Sequence, residues 1–134
     1  ERVPGLQTVE EPRDVAAAVA LHSTPQTLLV VDCLTLWLTR WTMPVGVEAM
    51  SFEQKQGLAL DWQAQAAMFL VAVRKSPGPV ILVGNEIGLG VIPMGREVRA
   101  FVDALGTLNQ QVAQVCPRVT LMAAGLPLTL KEPR

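Results

Sequence analysis

Apolar residues form two kinds of pattern along the chain, and segments with the two patterns alternate. Short uninterrupted runs such as TLLVVDC (27–33) and VILVG (80–84) predict strands buried on both faces. Longer segments repeat apolar residues every three or four positions, which predicts amphipathic helices. The alternation predicts an α/β domain over 1–134, with an open, mostly parallel sheet flanked by helices. In chain order, the predicted elements are helix 8–22, strand 27–33, helix 34–41, helix 51–75, strand 80–84, helix 94–115, strand 119–125 and a short edge strand 126–130.

Residues typical of helix ends support two of these boundaries. Ser51 and Gln54 form the sequence of a capping box ahead of the longest helix. For the first helix we expect Thr8 or Glu10 near the start and Pro12 in the first turn, where its missing N–H does no harm.

The composition narrows the class of partner. The chain of 134 residues has a net charge of −1, which gives neither a basic footprint for nucleic acid nor a charged block for a membrane surface. No apolar stretch approaches the length of a membrane span. We therefore expect a small-molecule partner. Cys33 and Cys116 do not form a C-x-x-C pair, so we interpret them as buried structural thiols of a cytoplasmic protein. The single histidine, His22, is expected at the surface or as a capping residue.

Two of the predicted buried strands end in acidic residues. Asp32 directly follows LLVV, and Glu86 follows VILVGN. Ligands of open α/β sheets bind beyond the carboxyl ends of the strands, so both acids are candidate catalytic residues. An acid in the position of Asp32 is suited to Mg²⁺ near phosphates, bound directly or through water. The alternative interpretation is a pair of turn or capping acids without chemistry.

The stretch GNEIGLGVIPMG (84–95) connects the second of these strands to the next helix. It is not a dinucleotide fingerprint, because Pro93 stands at the third glycine position. A P-loop is also missing, because none of the lysines follows a glycine. Gly88 and Gly90 leave a connection whose backbone could approach a ligand closely. Arg99 could meet phosphate or belong to a solvated face, and Asn109 is expected on the side of the helix away from its apolar stripe.

Together these segments resemble the bifunctional adenosylcobinamide kinase / adenosylcobinamide-phosphate guanylyltransferase family of cobalamin (vitamin B12) biosynthesis. The resemblance covers nearly the whole chain and is carried by LLVVDCLTLWLT and by GNEIGLGVIPMGREVRAFVDALGTLNQQVA. The matching positions are Asp32, Cys33, Leu34, Thr35, Asn85, Glu86, Ile87, Gly88, Gly90, Val91, Ile92, Pro93, Arg99, Phe101, Asp103, Gly106, Asn109 and Gln110.

The resemblance implies a P-loop NTPase of the RecA-like type that uses ATP, GTP and Mg²⁺. Such an enzyme phosphorylates adenosylcobinamide and then transfers GMP from GTP to the product through a guanylylated histidine. It implies catalytic roles for Asp32, which acts on Mg²⁺, and Glu86. A homo-oligomer, commonly a trimer, is also implied. The residues that it implies for nucleotide or substrate binding are Asn85, Gly88, Gly90, Arg99 and Asn109.

The resemblance also predicts polypeptide ahead of Glu1. The chain begins without Met, and the family's P-loop and nucleotide-carrying histidine belong to a more N-terminal part. We therefore expect 1–134 to be the C-terminal majority of a nucleotide-dependent transferase domain. Two alternatives stay open, a non-catalytic α/β module for small-ligand binding or oligomerisation, and another P-loop phosphotransferase.

Overall fold

A computed structural model describes residues 3–134, and within them helices alternate with short strands. The elements are α1 (Val15–His22), β1 (Leu29–Asp32), α2 (Leu34–Thr42), α3 (Phe52–Lys75), β2 (Val80–Val83), α4 (Arg96–Val115), β3 (Val119–Ala123) and β4 (Leu126–Lys131). Single 3₁₀ turns, Val47–Ala49 and Ile87–Leu89, interrupt two of the connections. The predicted α/β order of elements is confirmed.

Capping hydrogen bonds explain where the helices begin. The capping box before α3 is confirmed, with Gln54 N donating to Ser51 Oγ at 3.1 Å and Ser51 N donating to Gln54 Oε1 at 2.8 Å. The predicted start of α1 is wrong, because Asp14 is the capping residue and accepts from Ala17 N at 3.2 Å. Pro12 therefore precedes the helix instead of lying in its first turn.

Within residues 3–134 the strands form two separate pairs, so the single open sheet that was predicted is wrong in its connectivity. β1 and β2 pair in parallel, and β3 and β4 pair antiparallel. Ala124 and Gly125 both have positive φ, 53° and 74°, and they close β3 and β4 into a tight hairpin. The hairpin ends β3 at Ala123, two residues before the predicted end, and uses the edge of β3 for β4.

The parallel pair β1–β2 is covered on one face only, which corrects the prediction of strands buried on both. Leu29, Val31 and Leu82 pack against the core. The alternate positions Val30 and Ile81 are 52% and 49% exposed. Because successive side chains of a strand point to opposite faces, an unbroken apolar run has the same sequence whether one face or two is covered.

The core lies between the inner face of β1–β2 and helices α1 to α4. Its most deeply buried side chains are Phe69, Leu38, Leu105 and Leu108. The Trp37 ring lies 4.7 Å from the rings of Trp62 and Phe69, centroid to centroid. Trp37 and Trp41, predicted as a packed pair, are both buried, and their indole N–H groups donate to the backbone oxygen of Arg13 at 2.8 and 2.9 Å. These bonds hold the segment before α1 against α2.

The connection from α3 to β2 passes so close to the 24–27 turn that Gly78 has no room for a side chain. A Cβ built there would lie 2.0 Å from the backbone oxygen of Thr24. A backbone atom cannot turn aside as a flexible side chain can, so this position requires glycine. His22, the last residue of α1, is exposed, as predicted.

Candidate active site

The parallel register brings the ends of β1 and β2 to one edge of the domain. Asp32, the last residue of β1, pairs with Val83, the last residue of β2. Asn85 and Glu86 follow two and three residues later on the neighbouring strand, and all three polar side chains are exposed. The prediction that Asp32 and Glu86 share one sheet edge is confirmed.

Side-chain hydrogen bonds connect this edge to two helices. Thr35, in the first turn of α2, donates its hydroxyl to Asn85 Oδ1 at 2.7 Å. Asn109, from α4, donates its amide to the backbone oxygen of Asn85 at 2.9 Å and to Glu86 Oε1 at 3.0 Å. We call the set Asp32, Thr35, Asn85, Glu86 and Asn109 the polar edge. Its members come from β1, α2, the exit of β2, and α4.

The predicted orientation of Asn109 is wrong. Asn109 is half-buried and faces the strand ends instead of the side of α4 away from the apolar stripe. It lies four residues after the buried Leu105, and residues at that spacing share a helix face. That spacing is readable in the sequence, and it would have placed Asn109 beside the stripe.

The contact of Thr35 with the polar edge was not predicted from the sequence. Its hydroxyl pairs with a residue 50 positions away, and only the parallel pairing of β1 with β2 brings them together. A threonine at the start of a helix is most simply explained by local capping, so nothing in the sequence distinguishes this contact.

The connection between β2 and α4 is apolar and strongly exposed. Val91 and Met94 are 96% and 94% exposed, so this segment lies open beside the polar edge. Arg99 donates from one guanidinium nitrogen to the backbone oxygens of Pro93 at 3.3 Å and Met94 at 2.6 Å. Arg99 therefore supports the end of this connection, and its other N–H groups make no hydrogen bond within residues 3–134.

Gly88 and Gly90 are not required by backbone conformation. Gly90 has a φ of −85°, which any residue adopts. A Cβ at Gly88 would meet Val102 at 3.7 Å, an ordinary van der Waals distance. The two glycines leave an exposed stretch of backbone without side chains. The close approach of a ligand to this backbone stays a prediction.

The two cysteines are half-buried free thiols, less enclosed than predicted. Cys33 Sγ accepts from Leu36 N at 3.4 Å and so caps α2. Burial raises the pKa of the Cys116 thiol, and the nearby Lys131 ammonium partly opposes the shift. Neither thiol belongs to the polar edge.

Within residues 3–134, no three histidine, cysteine or acidic side chains come together in a way that could hold a metal ion. The polar edge offers only the carboxylates of Asp32 and Glu86. Mg²⁺ usually retains several waters and binds one or two carboxylates together with substrate phosphates. The donors present therefore suit an ion that arrives with a nucleotide, and they do not suit a cage made by protein alone. No helix among these residues is both long and apolar enough to cross a bilayer.

Two clefts lie away from this edge. A cleft of 560 Å³ lies between α1 and the C-terminal half of α3, and four alanines, Met68 and Val71 are among its lining residues. Another, of 410 Å³, lies between α3 and α4 and includes Gln63 and Gln111. Neither cleft is lined by an acidic residue, so neither offers the carboxylates found at the polar edge.

Acidic and amide side chains at the ends of parallel strands are typical of α/β proteins that bind small ligands at a sheet edge. Comparison with known families specifies the class further. The family model described as cobinamide kinase / cobinamide phosphate guanyltransferase matches residues 1–130. The chain belongs to this family, which confirms the resemblance drawn from the sequence.

Characterised relatives agree with this assignment. The chain is 40% identical over 125 residues to the bifunctional adenosylcobalamin biosynthesis protein CobP of Pseudomonas aeruginosa. It is 27% identical over 126 and 128 residues to the proteins called CobU of Escherichia coli and Salmonella typhimurium. Each match covers 93% of this chain, but 65% of the Pseudomonas protein and 70% of the other two. The chain thus spans about two thirds of the length of these relatives.

Proposed function

We propose that the protein phosphorylates adenosylcobinamide and transfers GMP from GTP to adenosylcobinamide phosphate in cobalamin biosynthesis. The observation that carries the proposal is the match of 1–130 to the family, combined with the convergence of Asp32 and Glu86 at one sheet edge. The 134 residues contain no Gly-Lys-Ser/Thr sequence to cradle phosphates. Both reactions are therefore proposed for the complete protein that its gene encodes, with the P-loop type of fold that the resemblance implies.

In this proposal, the two acids take different parts in phosphoryl transfer. Asp32 would hold Mg²⁺, directly or through water, and the ion would supply positive charge beside the phosphates of ATP or GTP. The Glu86 carboxylate lies on the neighbouring strand end and can accept a proton or hydrogen bond from the substrate hydroxyl. Both side chains are exposed, as a site that must admit a large corrinoid requires.

The remaining candidates would bind the nucleotide or substrate. The exposed Asn85 amide can donate to phosphate oxygens. Gly88 and Gly90 would let backbone N–H groups come close to the ligand. The N–H groups of Arg99 that do not hold Pro93 and Met94 would contact phosphate or a neighbouring subunit.

We also propose a homo-oligomer, with the trimer of the family as the expected form. The chain exposes 9822 Å². A compact monomer of 14.5 kDa exposes only about 6,900 Å² by the usual scaling of surface with mass. Apolar side chains contribute to the excess, among them Val30 and Ile81 on the outer face of β1–β2 and the three leucines of β4, Leu126, Leu128 and Leu130. Sedimentation velocity at several protein concentrations tests this, and a monomer throughout would contradict it.

The experiment that tests the function is a coupled assay of the complete protein with adenosylcobinamide, ATP or GTP, and Mg²⁺. Mass spectrometry should detect adenosylcobinamide phosphate first and the GDP-linked product afterwards. Asp32→Asn should abolish product formation while the protein still folds. Product from a different alcohol, with none from adenosylcobinamide, would indicate another phosphotransferase. If the complete protein binds no nucleotide, the result would indicate a non-catalytic module.

A further inference from the structure

We propose that Thr35 and Asn109 are positioning residues, which aim the Asn85 amide and one oxygen of Glu86 at the bound ligand. The identity of that ligand, phosphate oxygens beside a hydroxyl, rests on the proposed function. The arrangement itself rests on hydrogen bonds among the described residues. It assigns to Asn109 a part different from the direct ligand binding that the resemblance implies.

The Asn109 side chain has a fixed number of hydrogen-bond donors. A carboxamide nitrogen carries two N–H groups. In Asn109 this nitrogen donates to the backbone oxygen of Asn85 at 2.9 Å and to Glu86 Oε1 at 3.0 Å. Both donors are therefore in use within the protein, and Asn109 has none left for a phosphate.

Gly84 lies directly beside Asn109 at the exit of β2. A Cβ at Gly84 would lie 3.4 Å from Asn109 Oδ1 and 3.7 Å from Leu34 Cδ1. Both distances are ordinary van der Waals contacts, so Gly84 packs directly beside Asn109 and the start of α2. This packing brings the exit of β2 next to the residue that holds Glu86.

Thr35 determines which end of the Asn85 amide faces outward. Its hydroxyl donates to Asn85 Oδ1 at 2.7 Å. The amide nitrogen is on the opposite side of the same planar group, and within residues 3–134 it makes no hydrogen bond. Since the Asn85 side chain is exposed, its two N–H groups are the donors that a ligand would meet.

Glu86 is held in a similar way, with one oxygen anchored and the other available. Oε1 accepts from Asn109, while Oε2 has no hydrogen-bond partner within the part of the chain that the structure describes. Two N–H donors and one carboxylate oxygen therefore lie on consecutive residues. This pair suits a ligand that presents phosphate oxygens and a hydroxyl side by side, as an alcohol and a nucleotide do when phosphate is transferred between them.

A first experiment tests the positioning without any ligand. It follows the side-chain amide signals of Asn85 and Asn109 by ¹⁵N-resolved NMR in the complete protein. Thr35→Val, which removes the hydroxyl at equal size, should shift the Asn85 amide signals, and Thr35→Ser should restore them. Asn109→Ala should shift the Glu86 side-chain carboxyl signal in a ¹³C spectrum. Thr107→Val is the matched control, because the Thr107 hydroxyl donates only to Asp103 O within α4.

A second experiment tests whether the positioning serves the ligand. A hydrogen bond between neutral groups contributes about a factor of ten or less, and one to a carboxylate about tenfold to a hundredfold. Thr35→Val should therefore raise KM for the phosphoryl acceptor or nucleotide by about fivefold to tenfold, with kcat nearly unchanged, and Thr35→Ser should restore it. Asn109→Ala should lower kcat by about tenfold or more. A merely structural role would lower the Tm of these variants and leave KM and kcat of the folded protein unchanged.

The outcomes separate this proposal from the proposed function. Unshifted amide and carboxyl signals overturn the positioning, whatever the enzyme does. Shifted signals with kcat and KM within twofold of the wild type and the Thr107→Val control overturn it as well. If the wild type does not convert adenosylcobinamide, the proposed function fails, and the NMR experiment alone decides the positioning.

Discussion

The core beneath β1–β2 and the polar edge at the ends of the same two strands differ in both composition and exposure. In the core, every side chain that the structure shows as buried is apolar, and Phe69 and Leu38 are completely inaccessible. At the polar edge the side chains are polar and exposed or half-buried, and hydrogen bonds connect Thr35, Asn85, Glu86 and Asn109. Burial of apolar surface is the dominant source of stability, whereas exposed hydrogen bonds contribute little net free energy. The chain thus separates the residues that keep it folded from those available for chemistry.

The largest effect should come from the core. Phe69→Ala removes a fully buried ring that packs against Trp37, and it should lower the free energy of unfolding by about 3–5 kcal/mol. Urea unfolding measures this. Phe52→Ala is the matched control, because Phe52 is 75% exposed at the start of α3. Equal losses from the two substitutions would contradict the division between core and surface.

A change at the polar edge should give the opposite result, a loss of activity without a loss of stability. Glu86→Gln removes the charge and keeps an oxygen that can accept from Asn109. We expect kcat/KM to fall by about a hundredfold, within the usual range for a positioned acid or base. The Tm should stay within a degree or two, as expected for an exposed site. Glu97→Gln is the control, since Glu97 only forms an exposed ion pair with Lys55 at 3.0 Å. A large fall in the Tm of Glu86→Gln would contradict the separation of the core, which gives stability, from the polar edge.

The α3–β2 connection tests how far the tightly packed region extends. Gly78→Ala places a methyl group against the backbone of Thr24 and should destabilise the protein by about 1–3 kcal/mol. Gly57→Ala, inside α3 with no atom near the added carbon, should stabilise it by about 0.5–1 kcal/mol. Chemical unfolding of both variants gives the comparison, and a neutral Gly78→Ala would show that the turn yields easily.

The smallest effect concerns the pH dependence of stability. Because burial raises the pKa of the Cys116 thiol, the unfolded chain releases this proton at a lower pH than the folded one. The contribution of this thiol to the free energy of unfolding is therefore fully present below the pKa of the unfolded chain, and it is lost as the pH rises through the pKa of the folded chain. The Cys116→Ala variant should not show this decrease. The test compares the free energies of unfolding of wild type and variant at neutral and alkaline pH, and a constant difference would contradict it.

The sequence predicted most elements and every residue of the polar edge except Thr35, although it placed Asn109 on the wrong side of its helix. Period and capping signals located α2, α3, α4 and the strands, because these signals are local. The start of α1 was wrong because Asp14, and not an earlier residue, caps the helix. The division into two strand pairs was missed because pairing depends on contacts between distant segments. Asp32, Asn85 and Glu86 were found because they directly follow apolar strands, whereas Thr35 joins them only through the pairing of β1 with β2.

The position of the tryptophans has a spectroscopic consequence. The chain contains three tryptophans and no tyrosine, and Trp37, Trp41 and Trp62 are all buried in the one core between α2 and α3. The intrinsic fluorescence of these 134 residues therefore comes from the core alone. Emission will change when the helices separate and will respond little to a substitution at the polar edge that leaves the core intact. The molecule thus contains its own optical probe of folding, independent of the site where we propose that chemistry occurs.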